Sequence, residues 1–152
     1  MHKTYENDDL VVFWDSDKCI HSKVCVTGCP EVFDINKRPW INIETADNIK
    51  VWQTIEKCPS GALGCLYRHG IDVAMDIDNC RSVAYDGDKQ VGECDYQETD
   101  AGWNIYHTDV APDYEGQGIA KRLVYKILEE AEKNKAKIIA TCSYAKNHIG
   151  KC

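Results

Sequence analysis

The chain has 152 residues, which suits one average domain or two modules of about 70 to 80 residues each, and modules that small usually need a metal, a disulfide or a partner. With 43% hydrophobic and 28% charged residues it is neither a disordered tail nor a membrane protein, and apolar runs no longer than Leu10–Trp14 exclude a spanning helix and a signal peptide. Eight basic residues face ten acidic ones through Arg68 and ten face fifteen beyond it, so neither half offers the basic stripe that nucleic acid requires.

Taken in chain order, Leu10–Trp14 is a short strand ended by Asp15-Ser16-Asp17. Lys18 to Pro30 has neither helical nor strand period, and it holds three cysteines. Glu31–Asp34 reads as a corner, and Asn36-Lys37 as a reversal before an extended Pro39–Ile43. Thr45 is placed to cap a helix carrying Ile49, Trp52 and Ile55, which stops at Cys58-Pro59-Ser60-Gly61. Ala62-Leu63 resumes an extended piece. Trp14, Trp40 and Trp52 are expected to form the core of this module.

Texture changes near Tyr67–Asp76, placing a boundary between residues 1–68 and 69–152. Three strands follow, Ser82–Tyr85, Val91–Tyr96 and Trp103–Val110, with Asp86-Gly87 turning the first into the second. Trp103 is expected under the helix carrying Leu123. Beyond Gly116 and Gly118 the period becomes helical. Ile119, Leu123, Ile127, Leu128 and Ala131 share one face, and Lys121, Arg122, Glu129, Glu130 and Lys133 lie opposite. Lys137–Thr141 is a last strand, so the second half reads β-β-β-α-β and the whole chain α+β.

Nine cysteines in a chain without an export signal point to a reducing cytoplasm and to metal or thiol chemistry rather than disulfides. Five of the nine fall between 19 and 65. Cys19-x5-Cys25-x3-Cys29, with a remote Cys58-Pro59, is the kind of arrangement that holds an iron–sulfur centre. Four thiolates also suit zinc, but the paired Cys-x2-Cys knuckles usual for zinc are missing. Cys65 is expected to be structural.

Residues Lys18 to Leu63 resemble the divergent single-cluster ferredoxin-type domain. The likeness is carried by Cys19-Ile20-His21-Ser22, Pro30-Glu31-Val32-Phe33-Asp34, Pro39-Trp40-Ile41 and Cys58-Pro59-Ser60-Gly61-Ala62-Leu63. Carried over residue by residue, it implies Cys19, Cys25 and Cys58 as iron ligands. The second ligand slot falls on Ser22, a departure from the family spacing. Three readings follow: a three-thiolate [3Fe–4S] centre, a [4Fe–4S] centre with Cys29 or His21 as fourth ligand, or a [4Fe–4S] centre with an open iron. The preferred reading is [4Fe–4S] with Cys19, Cys25, Cys29 and Cys58. His21 is equally reachable, either as ligand or as a hydrogen-bond donor to cluster sulfur.

In the second half, Val110–Ala120 joins a strand to an amphipathic helix through a glycine-bearing loop, which aims the amides of Gln117 to Lys121 at an anion. Lys121 and Arg122 add local positive charge. The third glycine of a dinucleotide fingerprint is absent. From Ala84 to Tyr144 the chain resembles the compact members of the GNAT N-acetyltransferase superfamily. That resemblance rests on His107-Thr108-Asp109-Val110, Tyr114-Glu115-Gly116-Gln117-Gly118-Ile119-Ala120 with Leu123-Val124, and Cys142-Ser143-Tyr144. It implies acetyl-CoA between two splayed strands. Val110 backbone would face the pantetheine, and Gly116, Gln117, Gly118, Ile119, Ala120 and Lys121 would cradle the diphosphate. Glu115 stands where the superfamily carries Arg or Gln.

Acyl transfer to an amine needs a base, an oxyanion donor and a proton for the departing thiolate. His107 is the expected base, Cys142 is expected near the thioester, and Tyr144 is the expected proton donor. Direct attack is preferred over an acetyl-Cys142 intermediate. Asn147 is a further candidate contact to the carrier. The acidic surface suits a cationic acceptor, a small amine or a lysine side chain. The leading expectation is an acetyl-CoA-dependent N-acetyltransferase carrying an iron–sulfur module. Its rivals are an electron-transfer or redox-sensing protein, with its own redox partner, whose second module only binds CoA, and a cluster-stabilised interaction protein without turnover.

Overall fold

In a computed structural model that describes residues 2–140, the chain divides into two units, Met1–His69 and Gly70–Cys152. Each has its own hydrophobic core. The architecture is mixed α+β, and among the described residues no helix is long and apolar enough to cross a membrane.

The first unit is built on an antiparallel sheet ordered β1 (His2–Glu6), β2 (Leu10–Asp15), β3 (Leu63–Tyr67). β2 is central, and all its residues are buried, which explains an apolar run without alternation. Leu10, Val12 and Trp14 pack with Val32, Phe33, Ile41, Ile43, Val51, Ile55 and Leu63. Strand β1 has too little apolar content to announce itself.

The segment expected to be irregular contains one helical turn, α1 (Val24–Gly28). The extended piece at Pro39–Ile43 reduces to a single bridge between Phe33 and Ile41. Helix α2 (Asn48–Glu56) starts later than the sequence suggests. Asp47 caps it by accepting from the Lys50 N–H at 3.0 Å, while Thr45 spends its hydroxyl on the carbonyls of Glu31 and Asn42. The buried face of α2 is Val51, Thr54 and Ile55, and Ile49 is 70% exposed. Trp14 and Trp40 meet edge to face at 4.9 Å, but Trp52 stacks on Tyr67 instead.

The second unit is a five-stranded sheet ordered β4 (Ile71–Asp76), β5 (Arg81–Asp86), β6 (Lys89–Thr99), β7 (Gly102–Val110), β8 (Ile138–Ala140). Neighbours are antiparallel except β7 and β8, which run parallel because α3 (Ile119–Lys133) crosses between them. Strand β4 precedes the three expected strands; its alternating Ile71, Val73 and Met75 were a readable period-2 signal. Ile119, Leu123, Val124, Ile127 and Leu128 of α3 pack on Ile71, Ala84, Val91, Cys94, Tyr96 and Ile105. Trp103 stacks on Tyr96 with 4.5 Å between ring centroids.

Arg122 is not on the solvent face. It is 3% exposed, and its Nη2 donates to the Ile71 carbonyl at 2.8 Å, tying α3 to the edge strand.

Candidate functional site

In the first unit, Cys19, Cys25 and Cys58 line one cavity of about 630 Å³ together with His21, Trp14 and Trp40. The loop brings Cys19, α1 brings Cys25, and the turn after α2 delivers Cys58. Two residues in this loop, His21 (φ 56°) and Lys23 (φ 63°), hold left-handed backbone conformations that side-chain-bearing residues rarely adopt. The His21 N–H donates to Cys19 Sγ at 3.4 Å.

Burial works against ionisation of Cys58. The N–H groups of Leu63, Ser60 and Ala62 and the Ser60 hydroxyl outweigh it, and the thiol pKa falls below its ordinary value. Such an environment favours the thiolate over the thiol. At Cys25 burial raises the pKa, and the neighbouring Cys19 and Cys58 sulfurs raise it further. Three sulfurs that repel one another in an apolar pocket are held more favourably around cationic iron.

Tetrahedral zinc, with Zn–S near 2.3 Å, draws its sulfurs to about 3.8 Å from one another. Among the described residues no three Cys or His donors of this cavity lie within 4.8 Å of one another. A cavity of about 630 Å³ leaves room for a polynuclear centre.

Cys29 does not share this wall. It is fully buried in the core beside Val32 and Phe33, and its N–H bonds to the Cys25 carbonyl one helical turn back. Burial and then Glu31 raise its pKa, with Lys50 opposing. The preferred ligand set of the sequence analysis thus divides, three cysteines at the cavity and one in the core. Cys65 is also part of that packing, and burial pushes its thiol up to about 12.

In the second unit, a β-bulge in the β6–β7 ladder decides where His107 points. Tyr96 pairs with Ile105 and Asp95 with His107, leaving Tyr106 as the extra residue. Ile105 stays buried beneath α3 while His107 is exposed, so simple alternation is broken and the imidazole is re-aimed. There it joins Glu93 and Asp95, all three offering donor atoms within 4.8 Å of one another. Burial and then the Glu93 charge raise the Asp95 pKa, while His107 pulls the other way. Arg81 partly balances this patch, with Nη1 to Glu93 Oε2 at 3.1 Å and Nε to Asp76 Oδ2 at 2.9 Å. Glu93 and Asp95 were missed in the sequence, although their alternation with Gly92, Cys94 and Tyr96 marks them as one face of a strand.

The β7–β8 ladder runs from Trp103/Ile138 to Ile105/Ala140, and β7 continues to Val110. The chain then passes through a 3-10 turn at Pro112–Tyr114, fixed by the Tyr114 hydroxyl donating to Asp86 Oδ2 at 2.6 Å. Gly116 (φ 83°) and Gly118 (φ 77°) supply the two left-handed steps into α3, and no side chain caps that helix start. Its first amides therefore face outward without an intrahelical acceptor. Gln117 Oε1 is buried there without a hydrogen-bond partner, a position that a polar ligand group would complete. Glu115 is exposed. The cations expected to help are engaged elsewhere: Arg122 on Ile71, and Lys121 with Nζ 5.7 Å from the Tyr125 ring centroid. Cys142, Tyr144 and Asn147 lie outside the described residues.

Residues 5–68 match the family described as a divergent 4Fe-4S mono-cluster, and residues 81–152 match the GCN5-related N-acetyl-transferase family. The chain joins a divergent 4Fe-4S mono-cluster domain to a GCN5-related N-acetyltransferase domain. The Escherichia coli (strain K12) protein YjdI is 35% identical over 68 residues, covering 45% of this chain and 87% of YjdI. A GCN5-like protein from Staphylococcus aureus, solved by NMR, is 31% identical over 51% of this chain and 76% of its own, with a TM-score of 0.41. A GCN5-related N-acetyltransferase from Sphaerobacter thermophilus is 15% identical, covering 97% of this chain and 42% of its own, with a TM-score of 0.43.

Proposed function

We propose that the second domain transfers an acetyl group from acetyl-CoA to a cationic amine, and that the first holds an iron–sulfur cluster on Cys19, Cys25 and Cys58. The observation that carries the transferase reading is the uncapped start of α3, entered through Gly116 and Gly118 at the end of the strand that bears His107. Amides from Gly118 to Lys121 would hold the diphosphate, and the Val110 backbone would meet the pantetheine. His107 then stands three residues upstream, where the acyl end is expected.

The chemistry assigned to this chain's residues is direct transfer. Glu93 and Asp95 draw the ammonium form of the acceptor toward the exposed imidazole. His107 takes the proton from the amine, whose nitrogen forms the new C–N bond as the C–S bond of the thioester breaks. Tyr144 is assigned the proton that the released thiolate takes up, and Cys142 a place beside the thioester. The acetyl-CoA supplies the activated acyl group. The cluster supplies either electron exchange or a folding constraint for a module with a small core.

A second reading is favoured by Glu115, a carboxylate where the superfamily has Arg or Gln: the second domain binds CoA weakly and serves a redox protein as a scaffold. Thiol release from acetyl-CoA, measured across a panel of primary amines, polyamines and lysine peptides, separates the two. The transferase reading expects release with at least one amine and a loss of ten-fold or more in His107→Ala. CoA binding without release by any amine supports the scaffold.

A further inference from the structure

We propose that the fourth iron ligand of the cluster is the imidazole of His21, and that Cys29 is not a ligand. This rests on the iron–sulfur reading of the first domain and decides what the cysteine spacing left open.

Three observations converge. First, His21 lines the same cavity as Cys19, Cys25 and Cys58, whereas Cys29 does not. Cys29 has no exposed surface, and it packs with Val32 and Phe33 as a small hydrophobe. Its backbone is held at the end of α1, where its N–H bonds to the Cys25 carbonyl at 3.0 Å. Second, the chain accepts an unfavourable backbone to present His21. Both His21 and Lys23 sit at positive φ, within a seven-residue stretch closed by two thiol-bearing residues. Neither residue is glycine or asparagine, and each such conformation costs about 1 kcal/mol or more. Strain of this kind persists where surrounding contacts over-determine the loop, and it clusters at ligand-holding sites. The His21 backbone N–H already donates to Cys19 Sγ at 3.4 Å, which holds the His21 backbone against the first thiol. Third, His21 is exposed and is not part of the hydrophobic core of this domain.

Ser22 is the other candidate from the loop, and it lines the cavity too. Its hydroxyl accepts from the Val24 N–H at 3.5 Å at the entry to α1. A hydroxyl must also lose a proton to become a good iron ligand, whereas a neutral imidazole offers its lone pair directly and is an established ligand to iron in clusters. Three thiolates plus one imidazole leave the cluster one negative charge lighter than four thiolates. Its reduction potential should accordingly lie above that of an all-thiolate version of the same site.

The test uses the full chain, purified anaerobically as wild type, His21→Cys, His21→Ala and Cys29→Ala, the last chosen because alanine suits an apolar core. Iron and sulfide content, pulsed EPR nitrogen couplings of the reduced state and the reduction potential are measured on each. The expected result is a four-iron cluster with a strong imidazole nitrogen coupling in wild type and in Cys29→Ala. His21→Cys keeps four irons, loses that coupling and moves to a more negative potential. His21→Ala falls to three irons per chain. A wild-type cluster without imidazole coupling overturns the assignment to His21 while leaving the iron–sulfur reading intact. Loss of iron from Cys29→Ala with an unchanged cluster in His21→Ala also overturns it. A wild-type chain that binds no iron and sulfide overturns the cluster reading itself.

Discussion

Substituting Gly102 by alanine probes the close approach at the start of the β7–β8 ladder. Gly102 has φ 133°, and a Cβ built on it would lie 2.5 Å from the Lys137 carbonyl oxygen and 2.9 Å from the Lys137 Cβ. Both neighbours belong to residue 137 at the entry to β8, one of them to its backbone, so a side-chain rotation alone cannot open the space. The backbone conformation costs about 1–3 kcal/mol for a non-glycine residue. Forcing Lys137 outward adds an overpacking cost of similar size, roughly 1–3 kcal/mol. The displacement also strains the bond from the Trp103 N–H to the Lys137 carbonyl, 2.8 Å in the native fold. A loss of about 2–6 kcal/mol is a large share of the roughly 5–15 kcal/mol that holds a domain folded. Gly87→Ala is the matched control. It sits at φ 61° with nothing within 4 Å, so only the backbone conformation is penalised, at about 1 kcal/mol. Urea unfolding, followed by the fluorescence of Trp103 against Tyr96, compares them. Gly102→Ala is expected to cost at least twice what Gly87→Ala costs and to weaken acetyl-CoA binding. Equal costs would refute the close approach of Gly102 to Lys137.

Other consequences can be checked separately. In the cluster-free chain at pH 8, Cys58 should alkylate well before Cys65, because Cys58 is tuned toward thiolate while Cys65, at about 12, holds roughly one part in ten thousand as thiolate; mass spectrometry of a timed iodoacetamide reaction gives the order, and the reverse order would contradict the donor set at Cys58. Asp95→Asn should stabilise the second domain at pH 7 while slowing acetyl transfer. A carboxylate whose folded pKa is raised costs stability once ionised, and that cost vanishes below its unfolded pKa, so the gain in Tm should disappear near pH 3. An Asp95→Asn variant less stable than wild type at pH 7 would argue against that burial. Arg122→Ala should lose about 2–3 kcal/mol in urea unfolding, since it removes a buried charged donor from the Ile71 carbonyl. A loss below 0.5 kcal/mol, by the ordinary scatter of surface substitutions, would place Arg122 back on the solvent face.

Spacing made the three cavity-lining thiols legible because residues from one loop and one remote turn leave a trace in sequence separation. It did not sort Cys29 from Cys25, since four residues along a helical turn change the neighbours a sulfur meets, from cavity to core. The glycine pair and the long amphipathic helix were readable from period and turn chemistry, whereas Arg122 was not: a charge on the edge of an apolar stripe gives no sign that its guanidinium finds a carbonyl 51 residues away. The patch of Glu93, Asp95 and His107 depends on a bulge, and one inserted residue reverses which face a strand position takes. Helix α2 moved its cap to Asp47 because Thr45 had better partners in Glu31 and Asn42, a tertiary choice that local propensity does not contain. Strand β1, with His2, Lys3 and Glu6 in its five residues, forms because β2 supplies the ladder rather than because its own side chains demand burial.

The most direct trial of the transferase account is a calorimetric titration of acetyl-CoA into wild type, Gly116→Asn and Gly116→Asp. Gly116 has φ 83° with open space where a Cβ would stand, and asparagine and aspartate tolerate that backbone about equally, so the two variants differ in charge alone. A carboxylate about 5 Å from a bound diphosphate, at an effective dielectric of 20 to 40, opposes binding by about 1.5–3 kcal/mol. The expected outcome is binding by wild type, retained binding by Gly116→Asn, and an affinity at least ten-fold weaker in Gly116→Asp than in Gly116→Asn. Equal affinities in the two variants, or no binding by wild type, would contradict a diphosphate held at the start of α3.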